Sequence, residues 1–201
     1  WHSNNACLYY AASYGHLSIC QWLTSHFNLT PHHARSNQNE ALLFSVYRGH
    51  LHTCQWLAEK FNLTIDDIRT SNNDAFCWAS EHGHLALCKW LASWGLTSTD
   101  ARCRENSALR YAACNGHLEV CQWLVSYFGL TGAVQSFDNM AFKNAASHGH
   151  LEMCQWLTQV EKSGRLAESD GCNELGHFVG VKLGDIDKEE ALKNAACHGH
   201  L

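Results

Sequence analysis

The sequence predicts an all-α repeat solenoid of two-helix repeats, and three regularities of the 201 residues support this prediction. The tripeptide Gly-His-Leu recurs six times, at intervals of 34, 34, 33, 33 and 50 residues. A pair of small residues precedes most copies, and a cysteine followed by Trp-Leu comes after five of them. So regular a pitch requires a repeated supersecondary unit. The copies start at Gly15, Gly49, Gly83, Gly116, Gly149 and Gly199.

The first helix of each repeat is predicted to precede the glycine. The pairs Ala41-Leu42 and Ser45-Val46 lie about one helical turn apart and therefore share one face. Gly49 follows where a chain leaving a helix adopts a left-handed conformation, which glycine reaches at the lowest cost. An asparagine precedes this helix in most repeats, and we expect its side-chain oxygen to cap free backbone amides. These residues are Asn5, Asn39, Asn73, Asn106 and Asn139.

The second helix is predicted after each Gly-His. Leu17, Cys20 and Leu23 recur at steps of three residues and form an apolar stripe. Between repeats lies a stretch containing Asn-Leu-Thr or Gly-Leu-Thr, as at Asn62 and Gly129, which predicts a non-helical turn or hairpin.

The pattern Ala-Ala-x-x-Gly-His-Leu followed by paired apolar residues resembles the ankyrin repeat, and the resemblance covers nearly the whole chain. It implies helix-turn-helix units with β-turn connections. The stretch from Gly116 to Leu124 is similar to ankyrin arrays encoded by large DNA viruses of protists.

One departure and one alternative accompany this resemblance. The Thr-Pro-Leu-His tetrad that opens the family's first helix is replaced, for example by Glu40-Ala41-Leu42-Leu43, so the hydrogen bonds drawn from that Thr and His are absent. A tetratricopeptide array has a similar period, but it lacks the Gly-His-Leu step and places proline near each repeat's end. This chain has a single proline, Pro31.

The repeats define the domain organisation. About five ankyrin-like repeats occupy residues 1–160, and residues 161–187 form an irregular glycine-rich insertion or a degenerate repeat. Residues 188–201 hold a truncated further repeat. Because the chain begins at Trp1 without an initiator methionine and stops within a repeat, we expect it to be a fragment.

Composition excludes several classes of protein. No apolar run approaches the roughly 18 residues of a membrane span. The net charge of -5, without a basic stripe, disfavours nucleic acid as a ligand. We therefore expect a monomer with a protein partner, without nucleic acid or membrane. Eleven cysteines with no secretory signal indicate a reducing intracellular compartment, the cytoplasm either of the source cell or of a host cell.

The cysteines are interpreted as structural. Five occupy one equivalent helical position, and stacked helices about 8–10 Å apart are too distant for disulfides between them. We interpret them as small apolar core residues. The others show no Cys-x-x-Cys spacing, so we expect no metal and no cofactor. The equivalent cysteines are Cys20, Cys54, Cys88, Cys121 and Cys154, and the others are Cys7, Cys77, Cys103, Cys114, Cys172 and Cys197.

Histidine and tryptophan also recur once per repeat. We interpret the repeat histidines as forming a hydrogen bond that ties the second helix to its neighbours, although His-x-His pairs such as His82/His84 could in principle ligate a metal. The tryptophans, such as Trp22 and Trp56, are interpreted as an aromatic ladder between repeats with one edge in water. The alternative is a partner-binding row on the convex face.

Partner-binding residues are expected where the repeats differ. The ankyrin resemblance implies that the two residues before each Gly-His point into a concave groove, and tyrosine and arginine often dominate binding energy. The turn tips add further candidates. The predicted partner-binding residues are Tyr14, Tyr47, Arg48, Glu81, His82, Asn115 and His148 from the groove, and Arg104 and Phe137 from the tips.

No nucleophile motif, phosphate-binding loop or recurrent carboxylate pair is present in the sequence, so we do not expect an enzyme. The first hypothesis is a scaffold or adaptor that binds a protein partner in the groove. The second is that the array is the substrate-targeting arm of a ubiquitin-ligase adaptor or multidomain enzyme, with the effector domain outside this fragment.

Overall fold

A computed structural model of the chain describes the backbone of residues 2–130 and 140–169, and the side chains of residues 6–130 and 141–160. The chain divides into two compact units, Trp1–Ala108 and Leu109–Leu201, here called the N-terminal and C-terminal units. The described residues are helices joined by short turns, without a strand. The predicted all-α repeat architecture is therefore confirmed.

The N-terminal unit contains three complete repeats, each with a first helix, a second helix and a one-turn helix that connects to the next repeat. The first helices pack side by side, α1 on α4 and α4 on α7. Repeat 1 has α1 (His2–Ser13), α2 (Leu17–His26) and α3 (Pro31–Ala34); repeat 2 has α4 (Ser36–Tyr47), α5 (Leu51–Lys60) and α6 (Ile65–Ile68); repeat 3 has α7 (Thr70–Glu81), α8 (Leu85–Ala92) and α9 (Ser98–Ala101).

The C-terminal unit continues the same order. The division between the units falls within α10 (Cys103–Cys114), the first helix of repeat 4, which is followed by α11 (Leu118–Phe128). Repeat 5 has α12 (Met140–Ser147) and α13 (Leu151–Ser169). The first nine residues of the predicted insertion, 161–169, belong to α13, and the rest of it lies outside the described residues, as does the truncated repeat at 188–201.

The core lies between the two layers of helices, because small residues on the first helix allow the second to approach. In repeat 2, Ser45, Val46 and Cys54 are completely buried. A buried hydroxyl needs a hydrogen-bond partner, and Oγ of Ser45 donates to the carbonyl of Ala41 at 2.6 Å. Ser80 in repeat 3 makes the equivalent bond to Phe76.

Each first helix ends in the same glycine turn. In repeat 2 the Gly49 amide donates to Val46 O and the His50 amide donates to Ser45 O, at 3.0 and 2.9 Å. This pair of bonds is the Schellman motif, which requires a left-handed residue at the glycine. Gly49 has φ +84°, as the sequence predicted.

The repeat histidine packs on the glycine of the preceding repeat. A Cβ atom at Gly49 would lie 2.7 Å from the ring of His84, whose Nε2 is 3.1 Å from Tyr47 O. His50 sits in the same way over Gly15 and bonds to the Ser13 backbone, while its burial lowers its pKa and keeps the ring neutral at pH 7. The predicted hydrogen bond to a neighbouring repeat is confirmed. We call this packing the Gly-His interlock.

The connection between repeats begins with a left-handed turn residue at equivalent positions, followed by a buried leucine and a threonine. The predicted turn is therefore found, but in repeats 1 to 3 a one-turn helix follows in place of a hairpin. The reason is local: Thr64 and Asp67 form a capping box, with Oδ2 of Asp67 accepting from the Thr64 amide at 2.7 Å. Thr97 and Asp100 repeat this arrangement. The turn residues are Asn28, Asn62, Gly95 and Gly129.

Three successive left-handed residues follow the first residue of α4, α7 and α10, and the third, an asparagine, directly precedes the regular part of the helix. The predicted capping by its side-chain oxygen is wrong, because Oδ1 of Asn39 and of Asn73 accepts no hydrogen bond from the described residues. The left-handed backbone turns the Asn39 amide group toward the next connection, where Nδ2 donates to Thr70 Oγ1 at 3.1 Å. The triplets are 37–39, 71–73 and 104–106.

Arginine–aspartate pairs join successive connections. Nε of Arg35 is 2.8 Å from Oδ1 of Asp67, and Arg69 binds Asp100 through two bonds of 2.9 Å. Burial opposes the charge of Asp100, but hydrogen bonds from Arg69 and Thr97 outweigh it and lower its pKa to about 2. The Thr97 cap and the ion pair therefore both require an ionised Asp100.

We predict that Gly49→Ala destabilises the protein more than Gly95→Ala. Both glycines have positive φ, +84° and +95°, but no atom lies within 4 Å of a Cβ at Gly95, and asparagine occupies the equivalent position in repeats 1 and 2. The backbone strain alone costs about 1–2 kcal/mol. Displacing the His84 ring at Gly49 raises the loss to about 2–4 kcal/mol. Urea unfolding followed by circular dichroism measures both.

A double-mutant cycle separates ring contact from strain. In Gly49→Ala/His84→Ala the obstructing ring is gone, so the combined loss should be smaller than the sum of the single losses. Equal losses for Gly49→Ala and Gly95→Ala, with additive double-mutant behaviour, would show that the interlock contributes nothing.

We predict that acid lowers the unfolding free energy of the protein by protonating Asp100. Because the pKa of Asp100 is lower in the folded chain than the ordinary 3.8, its stabilisation is complete above about pH 4 and is lost as the pH falls toward 2. Asp100→Asn should lower the unfolding free energy at pH 7 by about 1–2 kcal/mol, a value reduced for partial solvation of the pair, and should flatten this acid dependence. Asp66→Asn, which removes an exposed carboxylate one residue from the Asp67 cap, is the control and should lower the unfolding free energy at pH 7 by less than Asp100→Asn does.

Candidate binding surface

The first helices of the N-terminal unit carry a band of partly exposed aromatic side chains. Tyr10, Phe44 and Trp78 each lie five residues before a repeat glycine, so they occupy equivalent positions on α1, α4 and α7. Sequence reasoning missed them, although an aromatic residue at a fixed distance from successive glycines was a readable signal. Together with the residues one and two positions before each glycine of this unit, they form a surface that we call the first-helix face. These additional residues are Ser13, Tyr14, Tyr47, Arg48, Glu81 and His82.

Ring contacts connect this face from repeat to repeat. The ring centroids of Phe44 and Trp78 are 5.7 Å apart at 65°, and Tyr9 meets Phe44 edge-on at 5.2 Å. Tyr47 contacts Trp78 at 5.7 Å and His82 at 4.2 Å. Edge-to-face aromatic pairs add about 0.5–1.5 kcal/mol beyond their buried area. The rings are therefore held in place before any partner arrives.

Tyr14 and Arg48, both predicted binding residues, contact each other. The guanidinium carbon of Arg48 lies 4.1 Å from the Tyr14 ring centroid, a cation–π geometry. Tyr14 is 52% exposed and Tyr10 is 60% exposed, so large parts of both rings face water. Arg48 is also exposed. The structure thus brings Tyr14, Arg48, Tyr47 and His82 together on one face.

A cleft of about 540 Å³ opens beside Tyr9 and Tyr10, at one end of this face. Its wall also includes His33 and Glu40, and the Glu40 carboxylate accepts a hydrogen bond from Nδ2 of Asn37 at 2.9 Å. Burial and the neighbouring Glu40 charge raise the pKa of Tyr9. The cleft therefore combines π faces with one carboxylate, groups suited to a polar or basic side chain.

The other predicted site residues are more dispersed. Glu81 is half-buried on α7, whereas Arg104 is engaged by the Asp74 carboxylate and by Ser71 O. In the C-terminal unit, Asn115 and His148 are exposed, and His148 Nδ1 lies 2.8 Å from Asn144 O.

Two aromatic residues remain, Tyr111 on a first helix of the C-terminal unit and the predicted site residue Phe137. Tyr111 is the C-terminal unit's equivalent of Trp78, and Arg110 lies 5.3 Å from its ring centroid. Phe137 lies outside the described residues.

In repeats 1 to 3, the tryptophans of the second helices contact aromatic rings of their own repeat, whereas the sequence predicted contacts between repeats. Trp22 contacts His26 and Phe27, Trp56 contacts Phe61, and Trp90 contacts Trp94. These partners lie four or five residues later in the same repeat, because the indole lies along the end of its own helix. The predicted ladder between repeats is therefore wrong for these three rings. Their partial exposure agrees with the predicted wet edge.

The equivalent cysteines are core residues. Cys20, Cys54, Cys88 and Cys121 are completely buried and form no disulfide among the described residues, and Cys154 is half-buried. Burial raises the pKa of Cys20 to about 11 and that of Cys88 to about 12. They are neutral thiols at pH 7 and pack as small apolar side chains, as predicted.

The His-x-His pairs are occupied by backbone contacts. The rings of His82 and His84 stack 6.0 Å apart, with His82 Nδ1 3.0 Å from Trp78 O and His84 Nε2 bonded to Tyr47 O. Among the described residues, no group of three or more His, Cys, Asp and Glu side chains is arranged to hold a metal ion. The structural interpretation of these histidines follows from their partners.

Comparison with known proteins identifies the repeat. The family model for ankyrin repeats matches residues 8–100 and 76–169. The chain is similar to the crystal structure of an ankyrin repeat family protein from Legionella pneumophila, with 21% identity and a TM-score of 0.59. The match covers 87% of this chain and 51% of that protein, so the chain spans about half of its length. No curated protein matches the sequence. No described helix has the length and apolar character needed to cross a membrane.

Thiol reactivity tests the core assignment of the cysteines. Alkylation of the native protein at pH 8 should label the exposed Cys7 readily and leave Cys20, Cys54, Cys88 and Cys121 unlabelled, since thiolates react and buried thiols do not ionise. In urea all should be labelled. Mass-spectrometric mapping measures each site, and a buried member labelled in native protein as fast as Cys7 would contradict the assignment.

Proposed function

The chain belongs to the ankyrin repeat family, and from this premise we propose that it is a scaffold or adaptor that binds a protein partner on its first-helix face. Ankyrin repeats are generally modules of protein–protein interaction without an enzymatic role. The main observation that supports this proposal is the band of partly exposed aromatic rings, which contact one another across three successive first helices. Aromatic and arginine side chains provide most of the energy at such interfaces.

The placement of the face supports this proposal. Tyr14, Arg48 and His82 directly precede repeat glycines whose turns are held by the Schellman bonds. A side chain on a fixed backbone loses less entropy on binding than one on a mobile loop. Tyr47 supports Trp78 and His82 by ring contacts, so we propose it contributes both to the partner contact and to the shape of the face.

For the C-terminal unit, considered by itself, we propose that Asn115 and His148 contact a protein partner. Both are exposed and stand one residue before a repeat glycine, like Arg48. Glu81, Arg104 and Phe137 remain proposed contributors. The mixture of side chains favours a partner surface with both apolar and polar groups, and no cofactor is needed for it.

The proposed setting is a reducing compartment such as the cytoplasm, since the nine described cysteines form no disulfide with one another. From the sequence resemblance to arrays of large DNA viruses of protists, we further propose that the partner is a host protein. The alternative proposal is the substrate-targeting arm of a ubiquitin-ligase adaptor or multidomain enzyme. It uses the same face, and the reading frame beyond Leu201 distinguishes it by the presence of an effector domain.

We predict that Tyr14→Ala/Arg48→Ala lowers partner affinity at least tenfold, about 1.4 kcal/mol, while the fold is retained. Both side chains are exposed, Tyr14 contacts Arg48 and the His16 ring, and neither side chain belongs to the buried core. The partner is first captured from host-cell lysate with the wild-type chain, identified, and then titrated against each variant by calorimetry.

The matched control is Trp22→Ala on the second helix. Trp22 is 57% exposed, close to the 52% of Tyr14, so the two substitutions remove similar exposed aromatic surface from opposite layers. Affinity should be unchanged in the control. If Trp22→Ala abolishes binding and the Tyr14/Arg48 variant binds normally, the partner uses the second helices and the proposed face is wrong.

A further inference from the structure

Two thiols that the repeat does not require lie side by side in the N-terminal unit. Sγ of Cys77, on α7, is 3.9 Å from Sγ of Cys103, the first residue of α10. One repeat earlier, Leu43 and Thr70 occupy the equivalent positions, so the same backbone forms there without sulfur. The pair is therefore specific to the junction of repeats 3 and 4.

We propose that Cys77 and Cys103 form an oxidation site at which a peroxide converts the two thiols into a disulfide that cross-links repeats 3 and 4. This modification is independent of the proposed partner binding and goes beyond it. It suits a compartment that is reducing at rest, where the thiols persist until an oxidant appears.

The surroundings assign a different role to each sulfur. Cys103 is partly exposed, and its thiol points toward Asn72 O at 3.4 Å, so a small oxidant reaches it first. Cys77 is 3% exposed and lies 3.0 Å from Ser107 Oγ, shielded from solvent behind Cys103. Burial also raises the pKa of Cys77, which further favours Cys103 as the first sulfur to react.

The reaction balances with hydrogen peroxide as the oxidant. The Cys103 thiolate attacks one peroxide oxygen; the O–O bond breaks, hydroxide leaves, and Cys103 becomes a sulfenic acid. The Cys77 sulfur then attacks the sulfenic sulfur, so an S–S bond forms as the S–OH bond breaks. The two thiols lose two electrons and two protons, and the peroxide ends as two water molecules.

The geometry requires only a local adjustment. A disulfide has its sulfur atoms about 2.05 Å apart, so these two must approach by roughly 2 Å. Rotation of either side chain about its Cα–Cβ bond moves the sulfur over such distances. The cross-link would anchor the start of α10 to α7, beside the Arg104–Asp74 pair and next to Trp78 in sequence. Oxidation would therefore stiffen the junction below the first-helix face.

The test oxidises the reduced chain with a small excess of hydrogen peroxide and maps the products by mass spectrometry. We expect a loss of two hydrogens and a peptide that joins Cys77 to Cys103, reversed by dithiothreitol. Because the folded chain holds the two sulfurs together, this link should form at least about tenfold faster in native than in urea-unfolded protein. Oxidised protein should also show a higher urea midpoint than reduced protein.

Variants distinguish the proposed sequence of events. Cys77→Ser should leave a Cys103 sulfenic acid that dimedone traps, and Cys103→Ser should abolish both the link and the trapped adduct. Cys114→Ser is the control, because Cys114 is also partly exposed, and it should leave the link unchanged. A wild-type chain in which Cys103 is overoxidised without linking to Cys77, or in which the link forms no faster in the native state, overturns the proposal.

Discussion

The Gly-His interlock is the constraint on which the rest of the structure depends. The glycine turns at Gly15, Gly49 and Gly116 have two requirements: a left-handed backbone and an open face on which the next repeat's imidazole rests. An asparagine could meet the first requirement, as Asn62 does elsewhere, but its Cβ would collide with the ring. The imidazole in turn needs a carbonyl, and Tyr47 O provides one for His84. Glycine and histidine therefore recur together because each residue serves the other one repeat away.

A second set of contacts fixes the spacing at the opposite edge of the repeat. The Asp67 carboxylate caps its own one-turn helix through Thr64 and binds Arg35 of the preceding connection. The Asn39 amide group bonds to the same connection from its left-handed position. Three successive left-handed residues cost free energy, and asparagine at the third place reduces that cost. Because the interlock and the arginine–aspartate pairs act at two ends of the first helix, its rotation is determined from both sides.

These contacts also show what sequence reasoning could reach. The period, the helix pairs, the buried cysteines and the role of the repeat histidine followed from residue spacing. The one-turn helices were readable from the Thr-x-x-Asp pattern at Thr64 and Thr97, but the Asn-Leu-Thr and Gly-Leu-Thr stretches were interpreted as a turn or hairpin. The role of Asn39 was not readable, because an asparagine before a helix has the same pattern whether its backbone is extended or left-handed. The contact of His84 with Gly49 joins residues 35 positions apart, and only packing reveals it.

The fixed glycine turns also explain which side chains can differ from repeat to repeat. Tyr14, Arg48 and His82 occupy one equivalent position directly before a repeat glycine, and the three side chains differ in chemistry. Since the glycine turn holds their backbone, the side chain at this position is free to change without loss of the fold. Cys77 and Cys103 vary in the same sense, as they replace Leu43 and Thr70 of the preceding repeat. Residues that differ on an invariant backbone are not explained by folding, so their side chains are where the chemistry particular to this chain resides.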